Sequence, residues 1–251
     1  MKKSLIILSA ILLIASGCKL ATKNNSAHTV AADCEFPNDY YRLLEKFVDS
    51  VAIGKKGLTK MEIAQYENVA NDDCFVRIFF YHAGKQKTDW WISNQFIFSD
   101  CAMSLLPEMA DFNNDGYNDF TYHSIEGARG ANDTRKLFIY NPENEDFIYI
   151  ENSEAYPNLL YNKKLDCITS YTFTGSQDEY FLKLEKDSLF EFAHIKIESD
   201  SIFVYEYTEK KAVSNERFTN SFYDNGNEKL IEKRENTFGD FPYFLNYKPL
   251  E

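Results

Sequence analysis

The chain has 251 residues, enough for one sizeable domain or two small ones. Its formal net charge is −12, from 39 acidic residues against 27 lysines and arginines. Nucleic acids and anionic lipid headgroups are themselves polyanions, so this charge argues against both as partners and leaves a basic protein as a suitable one.

The first eighteen residues are typical of a bacterial lipoprotein signal. Lys2 and Lys3 form a basic start, and the apolar segment LIILSAILLI (5–14) is followed by ASGC. The segment is too short to span a membrane as a helix, and it ends in small residues as a secretory signal does. The ending resembles a lipobox, which predicts that Cys18 is lipidated. The alternative is a plain cleaved signal with a chance cysteine.

Residues 19–36 contain few bulky apolar side chains and no periodic pattern, so we predict a flexible tether. No later stretch approaches the ~18 apolar residues of a membrane span. We expect residues 37–251 to form a single β-rich domain with a small helical N-terminal part. Such a protein would be held in the bacterial cell envelope by its lipid alone, at the outer membrane and facing the periplasm.

Two segments at the start of the domain predict one or two short helices. Residues 38–51, NDYYRLLEKFVDSV, place apolar side chains at the spacing of one helix face, and Asn38 stands where a cap is needed. Residues 59–71, TKMEIAQYENVAN, open with Thr59 and Glu62 at capping-box spacing. The second segment has a strand as its alternative.

From Cys74 onward apolar side chains tend to recur at every second residue, as in a β-strand. Segments such as CFVRIFFYH, KLFIYN and SIFVYEYTE are rich in aromatic and β-branched residues, and short turns such as NPENED and EKDS separate them. We predict a mainly β fold with nine or more short strands in an antiparallel meander, either sandwich-like or an incomplete β-propeller. The aromatic content of 16% is interpreted as core packing.

Four cysteines follow Cys18, and none forms a CxxC pair. An even number in an exported chain makes disulfide bonds plausible. Cys74 and Cys101 flank a predicted hairpin whose turn lies almost midway between them, so a bond near its base is sterically sensible. By elimination, Cys34 would then pair with Cys167.

One short stretch, DFNNDGYNDF (111–120), concentrates acidic and amide side chains around a glycine. Calcium takes six to eight oxygen ligands, and short side chains at alternate positions of a tight loop converge on one point. The predicted ligands of a structural Ca²⁺ are therefore the side chains of Asp111, Asn113, Asp115 and Asp119 and the backbone carbonyl of Tyr117.

This loop differs from an EF-hand, because Tyr122 stands where that motif has its final Glu and the flanking segments favour strands. We therefore predict a calcium loop that joins two strands. The alternative is an Asx-rich turn without metal, since Asp, Asn and Gly favour turns unaided. Magnesium fits less well because it keeps more waters and takes fewer protein ligands.

The loop resembles the calcium loop of FG-GAP and VCBS-type repeats. The order of features resembles more closely a family of bacterial envelope proteins that includes periplasmic inhibitors of invertebrate-type lysozyme and a lipoprotein that neutralises a lysozyme-like secreted toxin. In that order the acidic loop is followed by EGARGAND (126–133), KLFIYNPENEDF (136–147) and CITSYTFTGSQDEYFLKLEKDSLF (167–190). The resemblance covers about a third of the chain, from Met109 to Phe192.

The resemblance implies a propeller-like or sandwich-like β fold, a structural Ca²⁺, and inhibition by insertion of a loop into a lysozyme cleft. The family's inhibitory loop tends to carry Ser-Gly followed closely by Tyr, and the matching residues here are Thr174, Gly175 and Tyr180. Threonine replaces serine, and the tyrosine is displaced. The alternative is that Gly175 turns a hairpin and Tyr180 packs. The implied partner is a basic lysozyme-like effector, which an acidic protein would attract.

No established catalytic motif is visible in the sequence. His28 lies in the predicted tether, and His82, His123 and His194 lie on predicted strands with no evident partner. The stretch GARG (127–130) could cradle an anion but lacks the strand-to-helix context that such loops have. We expect a binding protein and no enzyme. The alternatives are a structural or assembly lipoprotein of the envelope, and a hydrolase or carbohydrate binder.

Overall fold

The computed structural model describes residues 40–84, 89–173, 177–198, 201–212 and 228–235. The predicted signal, Cys18 and the tether lie outside these residues. Among the residues described, there is no helix that is both long and apolar enough to cross a membrane. The strands are β1 Tyr41–Asp49, β2 Thr59–Asn68, β3 Cys74–Ala83, β4 Trp90–Phe98, β5 Glu108–Ala110, β6 Asp119–Gly127, β7 Asn132–Asn141, β8 Asp146–Ile150, β9 Leu160–Asn162, β10 Cys167–Phe173, β11 Gln177–Glu185, β12 Ser188–Ile197, β13 Ser201–Ala212 and β14 Glu228–Glu235.

These strands form three antiparallel sheets, made of β1–β4, β5–β8 and β9–β14. In each sheet every strand is hydrogen-bonded to its neighbours in the chain, so the fold is a meander. The predicted mainly β, sandwich-like meander is confirmed. Short polar turns connect β7 to β8, β9 to β10 and β11 to β12, as their sequences indicated, and two 3-10 turns lie at Ala128–Gly130 and Ser153–Ala155.

The β5–β8 sheet packs between the other two. The first core cluster combines side chains of the β1–β4 and β5–β8 sheets, among them Ile63, Ile78, Phe80, Phe120, Phe138 and Phe147. The second combines β5–β8 with β9–β14, through Leu137, Ile139, Ile150, Ile168, Tyr180 and Leu182. Because successive residues of a strand point to opposite faces, β7 supplies both clusters and is buried along most of its length.

The helix predicted over residues 38–51 is wrong, because Tyr41–Asp49 is strand β1. Its pairing with β2 shifts register between Leu43 and Glu45, so one extra residue interrupts the alternation of faces. That bulge produces an apolar spacing that resembles a helix face. Leu43 and Val48 are exposed, as the side chains of an edge strand often are, and Phe47 packs against the first core cluster.

The second predicted helix is also wrong, and its strand alternative is correct. Thr59–Asn68 is β2, which lies between β1 and β3 and pairs with both. Met61 and Ile63 on this strand are fully buried in the first core cluster. A ladder of hydrogen bonds on each side of β2 outweighs the weak local signal of a capping box.

Candidate functional site

The acidic loop, residues 111–118, joins β5 to β6 in the middle sheet. The two strands pair antiparallel from Glu108 opposite Thr121 to Ala110 opposite Asp119. The loop is thus the connection of a hairpin, in agreement with strands on both sides. Asn114 and Gly116 have φ of 58° and 87°, in the left-handed region that tight reversals need.

Three polar side chains turn towards the interior of this loop. The amide N–H of Asp115 donates to Asp111 Oδ1 and to Asn113 Oδ1, each at 3.2 Å. The amide of Gly116 donates to Asp111 Oδ2 at 2.9 Å, and Asn113 Nδ2 donates to Asp115 Oδ2 at 2.9 Å. The oxygens at loop positions 1, 3 and 5 are therefore gathered around the same short stretch of backbone.

Asp119 ends the loop and is fully buried. Its Oδ2 accepts the amide N–H of Phe112 at 2.7 Å, and its Oδ1 accepts that of Tyr140 at 2.9 Å. Burial raises the pKa of Asp119 to about 7. The hydrogen bonds from the two backbone amides oppose this rise, while the negative charges of Asp115 and Asp111 add to it. The carboxyl group thus connects the loop to β7 within the core.

The loop also contacts both outer sheets. Asn118 donates from Nδ2 to the carbonyl of Ala52 at 3.0 Å, and its own carbonyl accepts the amide of Gly54 at 2.8 Å. On the other side, Asn114 Nδ2 lies 3.5 Å from Asp166 Oδ1, in the turn between β9 and β10. Connections from all three sheets therefore meet at this loop.

A cavity of about 290 Å³ lies between the loop and the connection from β1 to β2. Its lining residues are Val51, Ala52, Gly54, Lys56, Gly116 and Asn118. Gly54 has a φ of 52°, and a Cβ there would lie only 2.8 Å from the hydroxyl of Thr59. A side chain at this glycine would therefore disturb both the cavity wall and the contact with Asn118.

The carboxylates of the loop form no ion pair with a side-chain cation among the residues that the structure describes. None of the ion pairs within the described ranges includes Asp111, Asp115 or Asp119. The donors to these carboxylates are backbone amides and the amide of Asn113. Backbone dipoles compensate like charges only in part, so the loop would gain from a bound cation.

The predicted metal ligands are only partly assembled. Asp111, Asn113 and Asp115 lie together, whereas Asp119 points to the backbone of Phe112 and β7. Consistent with this, no three His, Cys, Asp or Glu side chains among the described residues are grouped as they would be around a metal ion. Each carboxylate oxygen of Asp119 accepts one hydrogen bond from a backbone amide and keeps a further lone pair, with which it could still bind a cation or a water.

The structure describes one of the three residues of the predicted partner-binding loop, Tyr180. Thr174 and Gly175 lie outside the described residues. Tyr180 lies on β11 and is 6% exposed, with its ring stacked on His194 at 4.7 Å between centroids. The ring lies in the second core cluster, so Tyr180 packs in the core, which was the alternative to partner binding.

The structure joins Cys74 and Cys101 by a disulfide bond, at the base of the β3–β4 hairpin. Cys34, the partner expected for Cys167, lies outside the described residues, and Cys167 is a free, buried cysteine. Cys167 packs with Phe181 and Ile195 on the far face of the β9–β14 sheet. Burial raises the pKa of its thiol to about 11.

Two histidines have carboxylate partners that the sequence did not reveal. His123 Nδ1 lies 2.5 Å from Asp133 Oδ1, and His194 Nε2 lies 3.0 Å from Asp178 Oδ1. Asp133 also accepts from Arg135 at 2.9 Å. His123, Asp133 and Arg135 come together only because β6 pairs with β7, which places His123 opposite Arg135.

No family model matches the sequence, and no curated protein matches it. Among solved structures, the chain is similar to a Xanthomonas protein described as related to a type IV secretion system. The two are 12% identical with a TM-score of 0.40, over 68% of this chain and 93% of that one. A similarity this distant carries no argument about function.

Proposed function

We propose that this chain is a lipid-anchored, calcium-stabilised β-domain of the bacterial envelope that binds a protein partner. We take the partner to be a basic, lysozyme-like or other envelope-directed effector, which the chain inhibits. The observation that carries the proposal is the acidic loop, which lies where connections from all three sheets meet and whose carboxylates form no ion pair within the described part of the chain. The lipobox-like sequence ending in Cys18 supports the anchor.

Calcium is the cofactor that the loop chemistry suits. Asp111, Asn113 and Asp115 would supply side-chain oxygens, Tyr117 its backbone carbonyl, and Asp119 a carboxylate or a water held by it. The ring of Tyr117 packs on Tyr140 at 5.3 Å between centroids, which fixes the backbone from which that carbonyl extends. The ion would offset the repulsion among the carboxylates and hold the hairpin closed.

The charge of the chain supports a basic protein as the partner. At −12, the protein attracts cationic proteins over distances comparable with the Debye length and repels polyanions. The ordered motifs from Met109 to Phe192, which resemble lysozyme inhibitors, indicate the class of effector. In this proposal the membrane is contacted only through the lipid.

Inhibition can be tested with a panel of purified invertebrate-type and other lysozymes and lysozyme-like toxins. Each enzyme is assayed on cell-wall substrate with and without a molar excess of the mature chain in calcium buffer. We expect at least one basic member to lose activity. If every enzyme keeps full activity, the inhibitory function is wrong. A deletion strain that loses envelope integrity with no toxin present would instead favour an assembly role.

A further inference from the structure

The far face of the β9–β14 sheet, which points away from the middle sheet, is apolar and buried. Side chains alternate along β11, so Tyr180 and Leu182 lie in the second core cluster while Phe181 lies on the far face. The third core cluster lies on this face, and its buried members are at most 4% exposed: Cys167, Phe181, Ile195, Ile202 and Val204. The far face therefore has the burial of a core.

The described part of the chain supplies only one layer to this cluster. Within the described ranges its members come from β10 to β14 and from the turn before β10, and none comes from the other two sheets. A sheet face without a second layer keeps its side chains partly exposed. In the β1–β4 sheet, for example, Phe79 is only half-buried, whereas Ile78 and Phe80 point into the core and are fully buried. The burial of the far face is reached within a single chain, so its second layer belongs to this chain.

A buried carboxyl group on the same face gives a second, independent indication of a covering layer. Glu179 pairs with Tyr171 of β10 and with Ile195 of β12, and it is almost fully buried. Its Oε2 has no hydrogen-bond partner among the described residues. On a face open to water this oxygen would be hydrated, because a polar atom is costly to bury without a partner. Its burial therefore requires a layer above it.

The chain beyond β14 has the right position and length to form this layer. β14 is the edge strand of the sheet, and Glu235 is its last residue. The sixteen residues 236–251 reach ~50 Å when extended, at ~3.3 Å for each residue. From β14 to β10 the sheet measures ~19 Å, because neighbouring strands lie ~4.8 Å apart. The segment is therefore long enough to cross every strand that contributes to the cluster.

The composition of residues 236–251 also suits a covering layer. Seven of the sixteen are large and apolar or aromatic: Phe238, Phe241, Tyr243, Phe244, Leu245, Tyr247 and Leu250. The connection from β13 to β14 has only four in fifteen residues: Val213, Phe218, Phe222 and Tyr223. Residues 19–39 have three, and the apolar residues 5–14 belong to the predicted signal, which the mature chain lacks. Since removal of apolar surface from water is favourable, the C-terminal segment gains most by packing on this face.

We propose that residues 236–251 cross the far face of the β9–β14 sheet and form the layer that covers it. Their aromatic side chains pack on Phe181 and Ile195, and they close Cys167 and Glu179 off from water. The C-terminal segment is then part of the folded domain, and the chain itself occupies the far face. This inference depends neither on calcium nor on the protein partner.

The experiment uses the thiol of Cys167 to report whether the far face is covered. N-ethylmaleimide is added in native buffer, and mass spectrometry follows the rate at which the thiol is labelled. The mature chain carries Cys18→Ser and Cys34→Ser, and Cys74 is bonded to Cys101, so Cys167 is the one free thiol of this protein.

Two pairs of substitutions compare the C-terminal segment with the connection from β13 to β14. Phe241→Ser with Phe244→Ser alters the C-terminal segment, and Phe218→Ser with Phe222→Ser removes the same side chains from the connection as a matched control. We expect the first pair to speed up the labelling of Cys167 about tenfold or more, because it opens the far face. The control pair should change the rate less than about twofold.

A second measurement separates direct contact from a general loss of stability. A chain that ends at Glu235 should be labelled fast, and a synthetic peptide of residues 236–251 should slow this labelling until it saturates, whereas a scrambled peptide should not. The inference is wrong if the Phe241 and Phe244 pair leaves labelling slow, or if the control pair speeds it up as much. It is also wrong if the native peptide protects the folded, shortened chain no better than the scrambled one. Protection of Cys167 that weakens on dilution would contradict it as well, since a second copy would then cover the face.

Discussion

Glu179 lies on β11 with 4% of its surface exposed, on the same side of the sheet as Phe181. Its Oε2 has no hydrogen-bond partner among the described residues, and burial alone raises the pKa of the carboxyl group to about 8. A buried carboxylate without a cation is costly, so the group remains protonated through neutral pH.

The raised pKa of Glu179 predicts a stability that depends on pH. The unfolded chain releases this proton near pH 4.5 and the folded chain near 8, so between these values the folded state binds more protons. The free energy of unfolding therefore falls as pH rises through this window, by about 1.4 kcal/mol per pH unit from this group. Urea unfolding of the unchanged chain and of Glu179→Gln at several pH values measures the difference.

Glu179→Gln should be less sensitive to pH across that window and more stable than the unchanged chain at its upper end. Asp119 also titrates at a raised pKa, so the unchanged chain and the variant share that contribution and only their difference reports on Glu179. If the free energies of unfolding of the two proteins changed with pH in parallel, Glu179 would be ionised in the folded protein and the prediction would be wrong.

At the scale of the strand, sequence periodicity predicted most of the elements from β3 to β13 and failed for β1 and β2. From β3 to β13 the sequence pattern is regular enough to show most of the strands, but the three-residue strand β9 was not predicted. In β1 the bulge at Leu44 changed the spacing, and an edge strand carries fewer constraints on its outer side chains. The strand assignment of β1 follows from its pairing with β2, which no local pattern reveals.

The Cys74–Cys101 disulfide bond gives a prediction for the β3–β4 hairpin. The bond closes a sequence separation of 27 residues, which corresponds to about 3 to 4 kcal/mol of stabilisation in the chain-entropy description. Replacing both cysteines by serine should lower the free energy of unfolding by about this amount. The chain should also melt at a lower temperature after treatment with a reductant.

The double serine variant is its own control in this measurement, because reductant should not lower its melting temperature further. Cys167 is a free cysteine and contributes no bond that a reductant could break. A chain that melts at the same temperature with and without reductant would show that the bond adds no stability.

At the scale of the whole molecule, the sequence did not predict that the acidic loop lies where connections from all three sheets meet. The spacing of Asp111, Asn113 and Asp115 predicted converging oxygens, and these three side chains do converge. The contact of Asn118 with the connection from β1 to β2 and that of Asn114 with the β9–β10 turn join residues far apart in the chain. Such contacts depend on how the sheets stack, which local composition does not determine.

Because the loop contacts all three sheets, calcium should affect the melting of the entire domain. An ion that binds only the folded state stabilises it by RT ln(1 + [L]/Kd), or about 2.7 kcal/mol at a hundredfold excess over Kd. We expect a higher melting temperature in calcium than in EDTA. Asp115→Ala should remove this difference, since Asp115 would supply a ligand to the ion. Differential scanning calorimetry under both conditions gives the measurement.

Asp115→Ala also loses the hydrogen bond that Asp115 Oδ1 accepts from the amide of Tyr117, so the variant should melt lower even in EDTA. Only the shift between calcium and EDTA therefore reports on the ion. Asp187→Ala removes an exposed aspartate from the β11–β12 turn and should keep the full shift. Equal melting temperatures of the unchanged chain in calcium and EDTA would mean that the loop is an Asx-rich turn without metal, in which backbone amides and the side-chain amide of Asn113 donate to the carboxylates.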